Sequence, residues 1–384
     1  MIRLRQSGVD EILIKRVRDW YDPGPGCFFI GLAGTASFSP TSLFAAGEQG
    51  AYFDPNNSAT LFEDAAGTIP TALERPVGLM LDLSGRGNHA TQSLSTARPV
   101  LTRRVNQFVN SETLQTQSVT TRATTQTLRF EGTGAITLSG TATGVYTAGT
   151  YSVTTAAGTL TATVLGTVTR ADLREANFGV GLPAYQRVGD TAINAADYDT
   201  AGFPAWLRCS GGQSMVTPSI NFSSTDKMTV WAGVRKIGSS GVGCFIELSA
   251  VVDTNNGSFL VTAPLSTNQY GFHTRGTSLV DRRTTTGYSS PITNVLSSGF
   301  NLAASTVDTE VIPRINGVTP TLTNTGTSTG TGTYGNYPIY LFARNQSSLF
   351  FNGLAGPIIV RGAQSSAAEI ANAENWINAQ QKVY

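Results

Sequence analysis

Apolar and polar residues alternate along a stretch of the chain that glycines divide into short segments. Leu128 and Phe130 flank a polar residue, and Ile136 and Leu138 do the same. The alternation continues through Tyr151, Val153, Leu160, Ala162 and Val164. Side chains of a β-strand point alternately to its two faces, so a period of two predicts a meander of strands with one buried face. We expect residues 106–177 to form a compact, small β-sandwich module.

The composition extends this prediction to the whole chain. Only 13% of the 384 residues are charged, against roughly 25% in a typical soluble domain, and 41 residues are glycine. Charged helical surfaces are therefore scarce, while threonine favours strands and glycine favours turns. We predict an all-β fold. The net charge of +1 gives no global field that would attract nucleic acid or an anionic membrane.

A second strand-rich region follows residue 180 and extends to residue 361. Trp206 and Trp231 fall within its strand patterns, so we expect both rings in the core. The predicted strands are 206–207, 228–234, 243–248, 258–261, 301–307, 311–315, 339–343, 350–351 and 357–360. The segment 321–334 is almost entirely Thr, Gly, Ser and Asn, which predicts a loop or an exposed hairpin end.

The C-terminal segment has a helical pattern. Ser366 and Glu369 are spaced as a capping box, and Ile370, Ala373 and Ile377 recur on one helical face. We predict a C-terminal helix that covers an edge of the sandwich.

The N-terminal segment differs in composition from the rest of the chain. Ser7 and Asp10 resemble a capping box, and the apolar residues Val9, Ile12, Val17 and Trp20 share a helical face. Residues 7–20 therefore suit a helix, although 11–17 equally suit a β-branched strand. Residues 23–26, Pro-Gly-Pro-Gly, end the segment. We interpret residues 1–40 as an arm that docks on another protein; packing on its own domain is the alternative.

The cysteines indicate neither a disulfide framework nor a zinc site. Cys27, Cys209 and Cys244 are odd in number and far apart, and His89 and His273 lie near none of them in sequence. We expect buried free thiols and synthesis in a reducing cytoplasm. The longest apolar run is far shorter than the roughly 20 residues that span a bilayer. We also expect no signal peptide, because the first two dozen residues are of mixed charge.

Three sets of residues carry linked motifs. Residues 42–55 precede the turn DLSGRGNHAT at 82–91, residues 228–236 read MTVWAGVRK, and residues 351–360 read FNGLAGPIIV. Residues 315–317, Ile-Asn-Gly, add a tight hairpin. Together these motifs resemble the concanavalin-A-like, or laminin-G-like, jelly roll of phage and prophage tail proteins.

The resemblance implies a domain order and a role. Residues 41–105 would form the first part of the jelly roll, and residues 178–384 the main jelly roll with the C-terminal helix. Residues 106–177 resemble a carbohydrate-binding module inserted between these parts. The role implied is that of a virion structural protein, often a trimeric fibre or spike. In such a turn, His89 is expected to bond the loop backbone.

Catalytic residue patterns are missing from the sequence. Jelly-roll glycosidases place paired carboxylates along one strand, whereas Glu63 and Asp64 are adjacent and would point to opposite faces. A Ser/His/Asp triad would need His89 or His273. Residues 268–275, which contain His273, are predicted to form a loop, with no serine elbow nearby. Asp197 and Asp199 could supply oxygen ligands to calcium, but a calcium loop would need more carboxylates, so a solvated turn fits them better. We therefore expect no enzyme activity, no metal and no cofactor.

A polar, threonine-rich stretch contains the residues that best fit a sugar. They are Tyr270, His273, Arg275 and Tyr288. Aromatic faces stack on the apolar faces of sugars, and arginine binds hydroxyl or anionic groups. The alternative is that these residues lie at hairpin tips or in subunit contacts.

Two functions follow from these expectations. The first is a short tail fibre or spike, docked on other virion proteins through residues 1–40, that binds glycans on the host surface. The second is a head fibre or capsid-decoration protein; a glycan depolymerase is a distant third. We expect a homo-oligomer, a trimer by the resemblance, made in the host cytoplasm and located in the virion, with neither nucleic acid nor membrane insertion.

Overall fold

The computed structural model describes residues 38–176, 178, 181–190, 196–237, 241–266, 268–285, 287–324 and 329–384. The helix predicted over residues 7–20 lies outside these ranges, as does the docking arm up to residue 37.

Strands dominate the described chain. The first ten are β1 (Gly50–Phe53), β2 (Leu61–Phe62), β3 (Leu79–Met80), β4 (Ala90–Thr91), β5 (Val100–Thr102), β6 (Gln117–Thr121), β7 (Thr124–Gly140), β8 (Gly144–Thr155), β9 (Gly158–Leu165) and β10 (Val168–Glu175). The next six are β11 (Trp206–Ser210), β12 (Met215–Asn221), β13 (Lys227–Lys236), β14 (Cys244–Leu248), β15 (Ser258–Thr262) and β16 (Gly271–Arg275). The remainder are β17 (Leu279–Thr284), β18 (Ile292–Asn301), β19 (Val311–Ile315), β20 (Leu322–Asn324), β21 (Asn336–Leu341) and β22 (Asn352–Arg361). Short 3-10 helices cover Pro40–Phe44, Ser58–Thr60 and Ser95–Ala97, and the α-helices are α1 (Val307–Glu310) and α2 (Ala367–Gln381).

Two large antiparallel sheets pack face to face. One has seven strands in the order β19-β18-β13-β22-β11-β5, and β1 also pairs with β22. The other has ten, in the order β2-β3-β4-β12-β21-β14-β15-β16-β17-β20. Val230 and Leu296 of the first sheet share one hydrophobic core with Phe245 and Phe272 of the second. The predicted all-β sandwich is confirmed.

The middle of the seven-stranded sheet is buried on both faces. In β13, Val230 and Ala232 belong to the core between the sheets, whereas Trp231 belongs to a second core on the opposite face. This double burial explains the nearly continuous apolar sequence of β13 and β22. Trp206 and Trp231 are both buried, as predicted.

Helix α2 packs on that second face. Its predicted capping box is confirmed, because the N–H of Glu369 donates to Ser366 Oγ and the N–H of Ser366 donates to Glu369 Oε2. Ala373 and Ile377 pack with Trp231, and α2 contacts β13, β18 and β22. The predicted position at a sandwich edge is wrong, because these are interior strands.

Glycine makes this close approach possible. A Cβ at Gly356 of β22 would lie 2.8 Å from Gln381 Cδ at the end of α2. A side chain at Gly356 would displace the buried Gln381 side chain from the sheet.

Residues 117–175 form a separate five-stranded sheet. Strand β7 pairs with β8 on one edge, and with β10 and then β9 on the other, while β6 pairs with β9. The register shifts between Phe130 and Ala135, where Gly132 has φ +108° and passes too close to Thr167 for a side chain. Leu128, Phe130 and Ile136 belong to a hydrophobic cluster of this sheet's own. The domain boundaries at 105 and 177 stay predictions.

Two predicted segments between the later strands differ from the structure. The strand predicted over 301–307 is wrong: β18 ends at Asn301, whose side chain accepts from the N–H of Ala303 and starts a turn. In the segment predicted as a loop or exposed hairpin end, residues 322–324 form β20, and Tyr334 is buried with its hydroxyl 3.0 Å from Thr274 Oγ1. Residues 325–328 lie outside the described ranges.

The two cysteines that the structure describes agree with the predicted burial. Cys209 and Cys244 are free and buried, as predicted, and Cys27 lies outside the described residues.

Among the described helices, none is long and apolar enough to cross a membrane.

We predict that Ile377→Ala will lower the free energy of unfolding by about 2–5 kcal/mol, since it leaves a cavity between α2 and the sheet. Ile312→Ala is the matched control, because Ile312 is exposed and its loss should change that free energy by less than about 0.5 kcal/mol. Urea unfolding measures both. Equal effects would contradict the packing of α2 described above.

Burial makes Glu310 a source of pH dependence. Loss of water raises its pKa from 4.5 to about 7, although the N–H of Gly330 donates to its Oε2 at 3.1 Å. Between these values the folded chain keeps a proton that the unfolded chain releases, so the free energy of unfolding falls as pH rises through this window.

The variant Glu310→Gln keeps an oxygen for the N–H of Gly330 without the charge. We expect its free energy of unfolding to fall less than that of the wild type between about pH 5 and about pH 8. Urea unfolding at both pH values measures the difference. A fall of the same size in both proteins would show that Glu310 does not contribute.

Candidate functional site

The structure places the four predicted sugar-binding residues on two sides of one sheet. Residues 271–275 form β16, so the loop predicted for this stretch is wrong there. Tyr270 belongs to the sandwich core and Tyr288 packs against it, with ring centroids 5.4 Å apart. Phe272 also points into that core, so His273 and Arg275 take the outer face of the strand. These residues therefore do not share one surface, and their role in ligand binding stays a prediction.

Tyr270 is enclosed by protein groups. Its hydroxyl accepts from Asn294 Nδ2 at 2.9 Å, and Lys236 Nζ lies 4.7 Å from its ring centroid. Burial raises the pKa of Tyr270 and lowers the pKa of Lys236 to about 8. The hydroxyl of Tyr270 thus has a hydrogen-bond partner and its ring has a cation–π partner, both within the core.

The outer-face residues have neighbours of their own. His273 Nδ1 lies 3.3 Å from Asp281 Oδ1, and burial lowers the pKa of His273. Arg275 Nε donates to Asn256 Oδ1 at 3.1 Å. Of the four predicted residues, Arg275 and Tyr288 remain partly open to solvent.

Asp82 organises the turn at 82–91. Its Oδ1 accepts from the N–H groups of Tyr52 and Ser84 at 2.9 and 2.8 Å, and its Oδ2 accepts from the N–H of Asn88 at 2.9 Å. The N–H of Asp82 donates to His89 Nδ1 at 2.9 Å. The backbone-bonding role predicted for His89 is confirmed, and the turn is fixed to β1.

The side chains of Tyr198 and Asp199 contact other parts of the protein. Tyr198, between the two carboxylates, is buried, and Asp199 Oδ1 lies 3.2 Å from Arg187 Nε. Within the described ranges, no three His, Cys, Asp or Glu side chains lie close enough to hold a metal ion.

A cleft of about 510 Å³ lies between the five-stranded and seven-stranded sheets. Ser118 and Thr120 of β6 line one side, and Arg208 of β11 and Leu354 of β22 line the other. The segment 102–107, which connects the two sheets, lines it as well. This volume falls within the roughly 300–1,000 Å³ of clefts that bind small ligands.

Glu175, a buried carboxylate at the cleft, pairs with two arginines. Arg122 Nη1 lies 3.0 Å from Glu175 Oε1, and Arg235 Nη2 donates to Glu175 Oε2. The Glu175 side chain is 6% exposed, whereas that of Arg122 is 52% exposed. Arg235 is fully buried with its guanidinium 4.1 Å from the ring centroid of Phe178. Burial lowers the pKa of the Arg235 guanidinium, and the nearby Glu175 carboxylate raises it. The ion pair between these two residues joins β10 to β13.

A second buried carboxylate holds Arg208. Its Nη2 lies 3.1 Å from Glu74 Oε2, with side-chain exposures of 41% for Arg208 and 2% for Glu74. Thr102 Oγ1 and the Tyr198 hydroxyl donate to Glu74 Oε1. Several donors thus fix this carboxylate, and the carboxylate in turn positions Arg208 at the cleft.

Arg104 is held mainly by the backbone. Its Nε donates to the carbonyl of Asn106 at 2.9 Å and its Nη2 to that of Gln107 at 3.1 Å. Burial lowers the pKa of Arg104, while Glu74 raises it. The apolar side chains that line the same cleft are Val105, Val119, Phe178, Ile237 and Leu354. The cleft therefore combines fixed guanidinium groups, hydroxyls and an apolar surface.

No sequence motif indicated this cleft. Its arginines are Arg104, Arg122 and Arg208, which come from a connecting segment, the β6–β7 connection and β11. They are far apart in the sequence and follow no shared motif. The nearest feature that the sequence indicated was the start of the predicted module at residue 106.

Comparisons with known proteins give no family. No family model matches the chain. No curated protein matches it either. Among solved structures, the botulinum neurotoxin serotype C1 binding domain has 12% identity and a TM-score of 0.34, covering 46% of this chain and 44% of that one. The chain thus spans less than half of that domain.

Two further solved structures are similar at the same level. The binding domain of botulinum neurotoxin DC, in complex with rat synaptotagmin II, has 12% identity and a TM-score of 0.33, covering 46% of this chain and 44% of that one. The CBM40 of Ruminococcus gnavus IT-sialidase, bound to α2,3-sialyllactose, has 11% identity and a TM-score of 0.32. It covers 43% of this chain and 94% of its own. Likenesses this weak carry no argument about function.

We predict that Glu175→Gln will lower the free energy of unfolding by about 3–5 kcal/mol, because Arg235 stays buried without a carboxylate. The control is Glu131→Gln on the same small sheet. Glu131 is half-exposed, 3.4 Å from Arg170, so its loss should cost no more than about 1 kcal/mol. Urea unfolding of both variants tests this. Similar small losses would contradict the anchoring role of Glu175.

Proposed function

We propose that this chain is a non-catalytic structural protein of a bacteriophage particle, a short tail fibre or spike that binds glycans on the host surface. The observation that carries the proposal is the cleft between the five-stranded and seven-stranded sheets. In this proposal residues 1–40 dock on other virion proteins, and the chain acts as a homotrimer.

The cleft suits a saccharide by its mixture of surfaces. Val119 and Ile237, which are partly exposed, offer apolar contact to the C–H face of a sugar ring. Ser118, Thr120 and the guanidinium of Arg122 offer hydrogen bonds to its hydroxyl groups. Because Arg122 and Arg208 are already held by buried carboxylates, little side-chain freedom is lost on binding.

The state of Glu175 supports binding without catalysis. Glycosidases use a pair of carboxyl groups, one to donate a proton and one to attack the sugar or to activate water. Both oxygens of Glu175 are engaged by arginines, Oε1 by Arg122 and Oε2 by Arg235. This carboxylate therefore acts as a structural anchor for two cations.

The motifs that resemble phage tail proteins support the virion assignment. The turn at 82–91 is built by Asp82 and His89, and residues 352–361 form the central strand β22. These segments thus form a fixed part of the sandwich rather than a variable surface. The head-fibre or capsid-decoration alternative differs in location on the particle.

Immunogold labelling of intact particles with antibody against residues 181–384 tests the location. We expect gold at the tail. Gold over the head would replace the tail assignment with capsid decoration. Absence of gold, with good labelling of the free protein, would contradict the virion assignment.

Competition with adsorption tests the cleft. The free chain should block adsorption of particles to host cells, and Ser118→Trp, which fills the cleft, should weaken the block by about tenfold or more. Ser152→Trp is the matched control, since Ser152 is exposed on β8 of the same small sheet. Equal blocking by the two variants would show that binding occurs elsewhere.

A further inference from the structure

The cleft carries more positive than negative charge. Four guanidinium groups and two carboxylates line it or lie directly behind it: Arg104, Arg122, Arg208, Arg235, Glu74 and Glu175. The surplus of two positive charges in this small region exceeds the net charge of +1 of the whole chain. Asp197 raises the pKa of Arg104 more weakly than Glu74 does, so it offsets this surplus only in part.

The positively and negatively charged side chains of the cleft also differ in their exposure to solvent. The Glu74 and Glu175 side chains are almost completely buried, whereas Arg122 and Arg208 are about half exposed. A ligand in the cleft therefore meets guanidinium groups while the carboxylates lie behind them. The ion pairs hold the arginines in place, which is the arrangement that favours binding of an anion by a fixed site.

Other parts of the cleft limit what the anion is attached to. Val119 and Ile237 supply partly exposed apolar surface that an inorganic anion would not use. Ser118 and Thr120 supply hydroxyls on the opposite wall. A ligand that uses every part of this surface has an apolar face, hydroxyl groups and a negative charge.

We infer that the cleft binds a saccharide that carries an anionic group, such as a uronic acid or a sugar phosphate. The acidic group lies toward Arg104, Arg122 and Arg208, and the sugar ring lies over the apolar side chains. This inference rests on the proposed function and names the class of glycan that the cleft selects.

Three small probes test the charge requirement on the full chain. Glucuronate and glucuronamide have similar shapes but differ by one negative charge, and glucose 6-phosphate carries its charge on phosphate. Backbone amide shifts of Ser118 and Leu354 in NMR titrations report occupancy of the cleft. We expect at least one anionic probe to bind about tenfold or more tightly than glucuronamide.

Variants separate the cleft from general attraction of anions. Arg122→Gln and Arg208→Gln should each remove most of the preference for the anionic probe. Arg75→Gln is the matched control, because Arg75 is also exposed and paired with a carboxylate, 2.8 Å from Glu63, but lies outside the cleft. Thermal unfolding of each variant confirms that it is folded.

The outcomes distinguish this inference from the proposed function. If glucuronamide shifts the same amides with equal affinity and the arginine variants keep it, the inference is wrong and glycan binding stands. If no probe shifts these amides, the inference is wrong and the cleft no longer supports glycan binding. Equal loss in Arg75→Gln would show non-specific attraction and would also overturn the inference.

Discussion

The ion pair between Arg235 and Glu175 holds the cleft together. Glu175 is the last residue of β10 in the five-stranded sheet, and Arg235 lies near the end of β13 in the seven-stranded sheet. Both charges are buried, and Phe178 packs against the guanidinium. Burying two charges is costly, and a buried pair is stable only where each charge keeps its partner. The position of the small sheet, and with it the cleft, therefore depends on this contact.

The sandwich supplies the rigid frame on which this contact depends. Strand β22 pairs with β13 on one edge and with β1 and β11 on the other, so residues distant in sequence meet at one strand. The turn built by Asp82 fixes β1, and α2 covers the outer face. A site built on paired strands holds its side chains more firmly than a site on loops. Arg208 of β11 lies on this frame, whereas Arg104 and Arg122 lie on connections and are oriented by backbone carbonyls and by Glu175.

Local patterns predicted the features that depend on local chemistry. Alternation around Leu128 and Phe130 predicted strands because pleating alone sets a period of two. The Ser366–Glu369 spacing predicted a helix start because capping is a contact within four residues. His89 was placed correctly because its partner, Asp82, lies in the same turn.

Features that depend on strand pairing were not predictable in this way. The arginines of the cleft line one space only when the five-stranded sheet lies beside the seven-stranded sheet, and no local pattern records that arrangement. Helix α2 was assigned to an edge because its apolar stripe does not show which surface it covers. Tyr270 and His273 were assigned to one sugar-binding surface because side chains of a loop need not alternate between two faces. In the strand, residues an odd number of positions apart point to opposite faces, so these two are separated.

Cryo-electron microscopy of the intact particle tests the central claim most directly. If this chain is a glycan-binding appendage, its density lies on the outside of the particle, with the cleft between Ser118 and Arg208 open to solvent. The five-stranded sheet should sit against β13 as the Arg235–Glu175 pair requires. A cleft filled by a neighbouring virion protein, or a particle that lacks the chain, would contradict the account.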